Sequence, residues 1–548
     1  MHIYPLLEIK NLQIDFITET EKVTAIKNIN LTINRNEITG IAGESGSGKS
    51  VTSLAILRLL SKTASFKSGE ILFSADGKEQ TDLLKINEKA LQSIRGKEIA
   101  IIFQEPMTSL NPVFTCGHQV MEAIRLHQEV GENEAKRRTI ELFEKVKLPD
   151  PAQIFNRYPH QLSGGQKQRV MIAMAMSGNP ALLICDEPTT ALDVTVQKTV
   201  LALIKELQAS TGMGVLFITH DLAVIAEIAD RVVVMYRGSI VEEAPTNSIF
   251  VAPQHPYTRS LLEINKIVRG KNLTSQNLRA NSDVFIHVEQ LSVCFPARRS
   301  FLGRPLAFTK AVDEVSFDVY RGETLGLVGE SGCGKTTLGR TLLRLLEPTS
   351  GTIEFNERDL LSMGNNELKK FRKHMQIVFQ DPYSSLNPSL TIGSAIEEPL
   401  KVHHPELSAR ERKEKVMGLL RKVKLEPSHY NRYPHEFSGG QRQRIVIARA
   451  LVLEPSFIIC DESVSALDVS VQAEVLKLLN DLKKEFGYTC IFISHDLSVV
   501  RYISDRIMVM NNGKIIETGP TEQVYTNPAS DYTKKLLDSV PKSLPLHA

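Results

Sequence analysis

No apolar run in this sequence of 548 residues approaches the ~20 needed to cross a bilayer. The longest clean stretch, Val170 to Met176, stops at Ser177 and Gly178. A basic excess is missing too. Lys and Arg total 65 against 63 Asp and Glu, a formal net charge of +2, and no basic stripe stands out. Nucleic acid is therefore not an expected partner. The six cysteines (Cys116, Cys185, Cys294, Cys333, Cys460 and Cys490) form no C-x-x-C pair and no metal-ligand spacing. They read as reduced, mostly buried thiols of a cytoplasmic protein. Met1 to Lys10 lacks a basic segment followed by an apolar one, so secretion is not expected. What is present is an ordinary globular composition, 42% hydrophobic and 23% charged, which excludes a disordered or collagen-like chain. One core seldom grows past roughly 250–300 residues, so two or more domains are expected.

A long internal repeat decides the organisation. The segment Tyr158-Pro-His-Gln-Leu-Ser-Gly-Gly-Gln-Lys-Gln-Arg169 returns 275 residues later as Tyr433-Pro-His-Glu-Phe-Ser-Gly-Gly-Gln-Arg-Gln-Arg444. The same offset relates Asp186 to Asp461, Asp193 to Asp468, His220 to His495 and Tyr257 to Tyr532. It drifts to 276 for Gln104 and Gln380 and to 286 for Lys49 and Lys335, so loop lengths differ only upstream. The chain reads as a duplicated domain over 1–265 and 284–548, joined by the polar, proline-free stretch 266–283.

Each copy opens with alternating strands (Leu7-Glu-Ile9 and Ile29-Asn-Leu31; Phe285-Ile-His-Val288 and Val315-Ser-Phe317), which suggest an antiparallel layer. An apolar strand then feeds a glycine-rich loop and a helix, expected over Lys49 to Leu60 and Lys335 to Leu346. Short apolar runs such as Ala181 to Cys185 and Val215 to Thr219 end on acidic or histidine residues. Such runs alternating with helices imply a buried parallel sheet, with the reactive groups at the carboxyl ends of its strands.

Gly43, Glu44, Ser45, Gly46, Ser47, Gly48, Lys49 and Ser50 fit the pattern G-x-x-x-x-G-K-[ST]. So do Gly329, Glu330, Ser331, Gly332, Cys333, Gly334, Lys335 and Thr336. Glycines let backbone N–H groups turn inward on phosphate oxygens, and the following helix aims its positive end at the same anion. Lys49 and Lys335 would reach the β- and γ-phosphates, while Ser50 and Thr336 would hold Mg²⁺. Asp186-Glu187 and Asp461-Glu462 end apolar runs in paired carboxylates. Asp186 and Asp461 suit a direct or indirect Mg²⁺ role, and Glu187 and Glu462 could polarise an attacking water.

Ser163-Gly164-Gly165-Gln166 and Ser438-Gly439-Gly440-Gln441 resemble the signature motif of ABC ATPases. Serine and two glycines opening a helix make a second anion cradle, and Val170, Ala173 and Met174 give that helix an inner face. The resemblance implies an α/β fold: two tandem ABC nucleotide-binding domains, each with a RecA-like parallel core, an antiparallel β subdomain and a helical subdomain. It further implies a head-to-tail sandwich in which each ATP lies between one P-loop and the other half's signature. One site would combine Lys49, Ser50, Gln104, Asp186, Glu187 and His220 with Ser438 to Gln441. The other would combine Lys335, Thr336, Gln380, Asp461, Glu462 and His495 with Ser163 to Gln166. Gln104 and Gln380 resemble the glutamine that senses the γ-phosphate and joins the Mg²⁺ ligands. His220 and His495 resemble the switch histidine, and Asp193 and Asp468 the aspartate that crosses the interface. Phe16 and Phe295 stand where the family stacks an aromatic on adenine.

A narrower resemblance rests on Gln104-Glu-Pro-Met-Thr-Ser-Leu-Asn-Pro112, on Gln380-Asp-Pro-Tyr-Ser-Ser-Leu-Asn-Pro388, and on His255-Pro-Tyr-Thr258. These are similar to the ATPases of oligopeptide, dipeptide and nickel importers, and the tandem arrangement resembles fused ATPases of peptide, glutathione or microcin uptake. It implies an ATP-hydrolysing importer motor on the cytoplasmic face of the membrane. Two integral-membrane permease subunits would be its only membrane contact, and an extracytoplasmic binding protein would deliver substrate. No cysteine lies between Cys185 and Cys294 or after Cys490, so no iron–sulfur cluster is expected. The alternative is a soluble tandem ABC translation factor acting on ribosomes. Such factors use a long charged helical linker, and 266–283 is neither long nor strongly charged.

Overall fold

The computed structural model describes residues 4–17, 22–103, 109–189, 192–269, 283–299, 305–465 and 467–540. The chain divides into two compact units, separated between Asn265 and Lys266. In the first unit, antiparallel strands lie in the order Lys22–Ile33, Leu7–Ile17, Ala64–Phe73 and Thr81–Asp82. Leu7, Ile9, Leu12 and Ile14 are buried whereas Glu8 and Lys10 are only partly so. A register shift between Ile9 and Leu12, with Asn11 in the left-handed region, keeps the apolar residues on one face across the kink.

A second sheet holds the strands Ser239–Pro245, Arg231–Tyr236, Ile38–Ala42, Gly214–Ile218, Leu182–Asp186 and Ile99–Ile102 in that order. It is parallel except for the edge strand Ser239–Pro245. Its central strands are buried on both faces, which is why they read as continuous apolar runs. Leu183, Cys185, Val215 and Phe217 face a core completed by helices. Their neighbours Leu182, Ile184, Leu216 and Ile218 face the core shared with the antiparallel layer.

The second unit repeats this plan with Pro305–Tyr320, Val284–Arg299, Ser350–Phe355 and Arg358–Asp359 in the antiparallel sheet. Its mixed sheet runs Met375–Val378, Phe457–Asp461, Thr489–Ile493, Thr324–Val328, Arg506–Asn511 and Lys514–Pro520. A helical layer completes each unit: Cys116–His127, Glu132–Lys145 and Gly164–Met176 in the first, Ile392–His403, Ala409–Lys422 and Gly439–Leu451 in the second. Val120, Ile124, Phe143 and Val170 bury the first of these layers. Truncating a fully buried residue such as Phe143 to alanine costs about 3–5 kcal/mol.

The P-loop helices are shorter than the apolar pattern suggests. They end at Ile56 and Leu342 because Arg58 and Arg344 turn left-handed. The Leu59 N–H then closes on the Leu54 carbonyl, and the Leu345 N–H on that of Arg340. Each arginine leaves by anchoring a distant strand-to-helix loop, Arg58 on the Ile86 carbonyl and Arg344 on those of Leu360 and Met363. Helix Pro256–Arg269 continues four residues beyond Asn265, into the stretch read as linker, and 270–282 lie outside the described residues. Of the cysteines only Cys294 is not buried. Among the described residues, no helix is long and apolar enough to cross a membrane.

Candidate functional site

Strands Ile38–Ala42, Gly214–Ile218 and Leu182–Asp186 are neighbours in one parallel sheet. Their carboxyl ends therefore deliver the Gly43–Ser50 loop, His220 and the Asp186-Glu187 pair to a single edge. The loop departs from Ala42 through Gly43 at φ +152°, where an added Cβ would lie 2.4 Å from the Met235 carbonyl oxygen. Only glycine fits that turn. Lys49 is buried and its Nζ donates to the Gly43 and Glu44 carbonyls at 2.8 and 2.9 Å. In the second unit, the Lys335 Nζ makes the same bonds to Gly329 and Glu330 at the same distances. These carbonyls hold each ammonium beside the N-terminus of the helix that Lys49 or Lys335 opens, the end of a helix that favours an anion.

The hydroxyl that follows each lysine meets the first acid. Ser50 Oγ donates to Asp186 Oδ1 at 3.0 Å, and Thr336 Oγ1 to Asp461 Oδ1 at 3.0 Å. Ser53 adds a second donor to Asp186, at 2.9 Å. Sequence reasoning missed Ser53, whose counterpart is Gly339, so Asp461 lacks that bond. Burial pushes both aspartates above the ordinary carboxylate range, against the hydroxyl bonds that lower them. A hydroxyl beside a desolvated carboxylate is an oxygen-only donor set, which suits a hard divalent cation such as Mg²⁺.

Glu187 and Glu462 stand one residue further along, each in the left-handed region at φ 48°. Their N–H groups donate to the Ile218 and Ile493 carbonyls at 2.9 Å, which fixes a conformation costing about 1–3 kcal/mol. His220 Nδ1 lies 3.1 Å from Glu187 Oε2, and His495 Nδ1 lies 3.5 Å from Glu462 Oε2. The Gln380 amide donates to that same Glu462 oxygen at 2.8 Å. Gln104 lies outside the described residues. Burial works to raise the Glu462 carboxyl, but His495 and Lys335 outweigh it and hold it below its usual value.

The Ser163–Gln166 and Ser438–Gln441 segments open helices Gly164–Met176 and Gly439–Leu451. Each serine and glutamine close a reciprocal capping box: the Gln166 N–H donates to Ser163 Oγ at 3.3 Å and the Ser163 N–H to Gln166 Oε1 at 3.1 Å. A Cβ on Gly165 would fall 2.4 Å from Val196 Cγ1, and one on Gly440 2.2 Å from Val471 Cγ1. Close helix contact therefore requires both glycines, while the serine ends stay exposed. Val170 and Ala173 are buried and Met174 partly so. Asp193 and Asp468 start the helices Val194–Thr211 and Val469–Phe486. Phe16 packs partly buried on the antiparallel-layer core, whereas Phe295 is 41% exposed.

A further contact was not anticipated. Tyr257 Oη accepts the Glu44 N–H at 3.2 Å, and Tyr532 Oη the Glu330 N–H at 3.3 Å. The only sequence signal was that these tyrosines keep the 275-residue offset of the acids and histidines.

The family described as ABC transporter matches residues 26–190 and 312–465. A second, described as oligopeptide/dipeptide transporter, C-terminal region, matches 241–286 and 516–546. The glutathione import ATP-binding protein GsiA of Pectobacterium atrosepticum is 46% identical over 562 aligned positions, covering 98% of this chain and 90% of that protein. GsiA of Escherichia coli K12 is 48% identical with the same coverage. Among solved structures, a dimeric ATP-binding cassette, MJ0796, bound to ADP and Pi, is 28% identical. It covers 43% of this chain and 98% of that one, with a TM-score of 0.39.

Proposed function

The chain belongs to the ABC transporter ATPases, and from that premise we propose that it drives import of peptide-class substrates, glutathione among them, through two separate permease subunits. ATP hydrolysis is its reaction. The observation that carries the substrate class is the recurrence of the oligopeptide/dipeptide C-terminal region after both cassettes, in a chain collinear with glutathione-import relatives over 98% of its length. The motor works at the cytoplasmic face, touches the membrane only through the permeases, and depends on an extracytoplasmic binding protein for substrate. Nucleic acid has no part in the cycle.

Each ATP is held between the P-loop of one domain (1–265 or 284–548, joined by 266–283) and the signature segment of the other. Lys49 and Lys335 bind the β- and γ-phosphates, and the N-termini at Ser163 and Ser438 face the γ-phosphate of the opposite site. Ser50, Gln104 and Asp186 would hold Mg²⁺ in one site and Thr336, Gln380 and Asp461 in the other, and the bound ion would supply charge neutralisation for phosphoryl transfer. Glu187 and Glu462 orient and deprotonate water, positioned by His220 and His495, and Asp193 and Asp468 cross the interface. Phe16 and Phe295 stack on adenine.

The test is affinity purification of a tagged Glu187→Gln/Glu462→Gln chain from detergent-solubilised membranes with ATP. Two multi-span proteins should be recovered in comparable amounts. Reconstituted with the wild-type chain and a binding protein, they should take up glutathione or short peptides only with ATP. Recovery of ribosomal proteins with nothing integral to the membrane would overturn the proposal.

A further inference from the structure

The peptide group joining Gly43 to Glu44 is held at both ends. Its carbonyl accepts Lys49 Nζ at 2.8 Å, and its N–H donates to Tyr257 Oη at 3.2 Å. The Gly329–Glu330 peptide repeats this, with Lys335 Nζ at 2.8 Å and Tyr532 Oη at 3.3 Å. Gly43 and Gly329, at φ +152° and +155°, leave this peptide less constrained than any side-chain-bearing residue would. Something else must fix its orientation, and the tyrosines stand where that is done.

The tyrosines are themselves clamped. Glu242, on edge strand Ser239–Pro245, accepts the Gln254 and His255 N–H groups at 2.7 and 3.0 Å. The Tyr257 N–H then donates to His255 Nδ1 at 3.2 Å, and its ring lies 4.1 Å from that of Tyr236. In the second unit, Glu517 accepts the Ala529 and Ser530 N–H groups at 2.8 and 3.0 Å, and the Tyr532 N–H donates to Ser530 Oγ at 3.2 Å. Two different sets of residues thus build one device. A carboxylate pins the start of the C-terminal extension, and a tyrosine hydroxyl reaches back to the phosphate loop. These segments lie within the regions matched as the oligopeptide/dipeptide transporter C-terminal region.

We infer that Tyr257 and Tyr532 are positioning residues of the two ATP sites, their hydroxyls orienting the Gly43–Glu44 and Gly329–Glu330 peptides that hold Lys49 and Lys335. The inference rests on the reading of those lysines as phosphate ligands. Without the hydroxyl the peptide can rotate, the lysine loses a carbonyl partner, and a smaller fraction of the loop is ready for nucleotide. A reduced competent fraction raises the apparent dissociation constant without altering the step after binding.

The test uses the full chain with MgATP. Tyr257→Phe/Tyr532→Phe keeps both rings and removes both hydroxyls. A lost hydrogen bond of ordinary strength predicts a roughly 3- to 10-fold rise in KM, and in Kd for a non-hydrolysable ATP analogue. kcat should stay within about twofold, and the nucleotide-free melting temperature should fall by only a few degrees, as the loss of one ordinary hydrogen bond per domain requires. Glu242→Gln/Glu517→Gln, which weakens the clamp far from the loop, should move KM the same way by a smaller factor. An unchanged KM in the tyrosine variant would overturn the inference, as would a loss of kcat as large as the rise in KM. Lys49→Ala/Lys335→Ala separates the two layers. If it abolishes analogue binding while the tyrosine variant binds normally, only the inference fails. If it leaves binding intact, the phosphate-ligand reading fails as well.

Discussion

Gln380 donates its side-chain amide to Glu462 Oε2 at 2.8 Å, on the same oxygen that His495 Nδ1 approaches at 3.5 Å. Two residues from separate loops thus converge on one carboxylate oxygen of Glu462. In the proposed general-base role the other oxygen would meet the water. Glu187 has the same left-handed backbone and the same histidine partner, so both acids are expected to act. Glu187→Gln and Glu462→Gln should each slow steady-state phosphate release, and the double variant should lose about 10²- to 10⁴-fold. An unchanged rate in Glu462→Gln beside a dead Glu187→Gln would show that only one site turns over.

The same triangle predicts a pH effect. Burial alone would raise the Glu462 carboxyl, and the hydrogen bond and charge of His495 reverse that. A base must be ionised, so a lowered value keeps Glu462 active toward acid pH. His495→Ala removes the larger lowering influence and leaves burial opposed by Lys335 alone. The acid limb of the kcat/KM profile should therefore move to higher pH. A limb that stays in place, or moves to lower pH, contradicts this account. In stability the sign is the one usual for a depressed acid: the contribution is present above the ordinary carboxylate value and is lost as pH falls.

Asp186 and Asp461 are strained in the opposite sense. Burial raises both, so each ionised carboxylate opposes folding at neutral pH until a cation compensates it. The folded state holds its proton more tightly than the unfolded one, so this penalty grows as pH rises through the folded value. Asp461→Asn should raise the melting temperature of the nucleotide-free protein at pH 7.5, by about 2–4 °C for each kcal/mol relieved in a domain of this size. It should also abolish Mg²⁺-dependent hydrolysis. A lower melting temperature in calorimetry would mean that the bond from Thr336 outweighs desolvation.

The repeat, the two phosphate loops, the paired acids and the signature segments were legible because each is local: a few residues of fixed type at fixed spacing. The layered fold followed from runs whose alternate residues, such as Leu182 and Leu183, face different cores. What was illegible depends on distance in the chain. Nothing in the spacing of Ser53 announces a second bond to Asp186, 133 residues away. Nothing marks Tyr257 as a partner of Glu44, 213 residues earlier. The early helix ends at Ile56 and Leu342 escaped for a related reason. Arg58 and Arg344 are good helix formers by propensity, yet both are drawn left-handed by tertiary hydrogen bonds.

The two signature glycines of each unit should separate folding from catalysis. Gly165 sits against Val196, where a Cβ would lie 2.4 Å from Cγ1, a distance that forces one helix to move. Gly165→Ala should cost about 1–3 kcal/mol by overpacking and lower the melting temperature, and Val196→Ala should restore much of it. A Cβ on Gly164 instead meets Leu192 Cδ2 at 3.7 Å, an ordinary contact. Gly164→Ala should fold normally. Its methyl would nevertheless stand on the exposed N-terminus of the helix, where backbone N–H groups are proposed to close on phosphate. ATPase activity should therefore fall in Gly164→Ala with no loss in melting temperature, and Val196→Ala should not rescue it. If Gly164→Ala hydrolyses ATP at the wild-type rate, the helix end has no part in binding nucleotide.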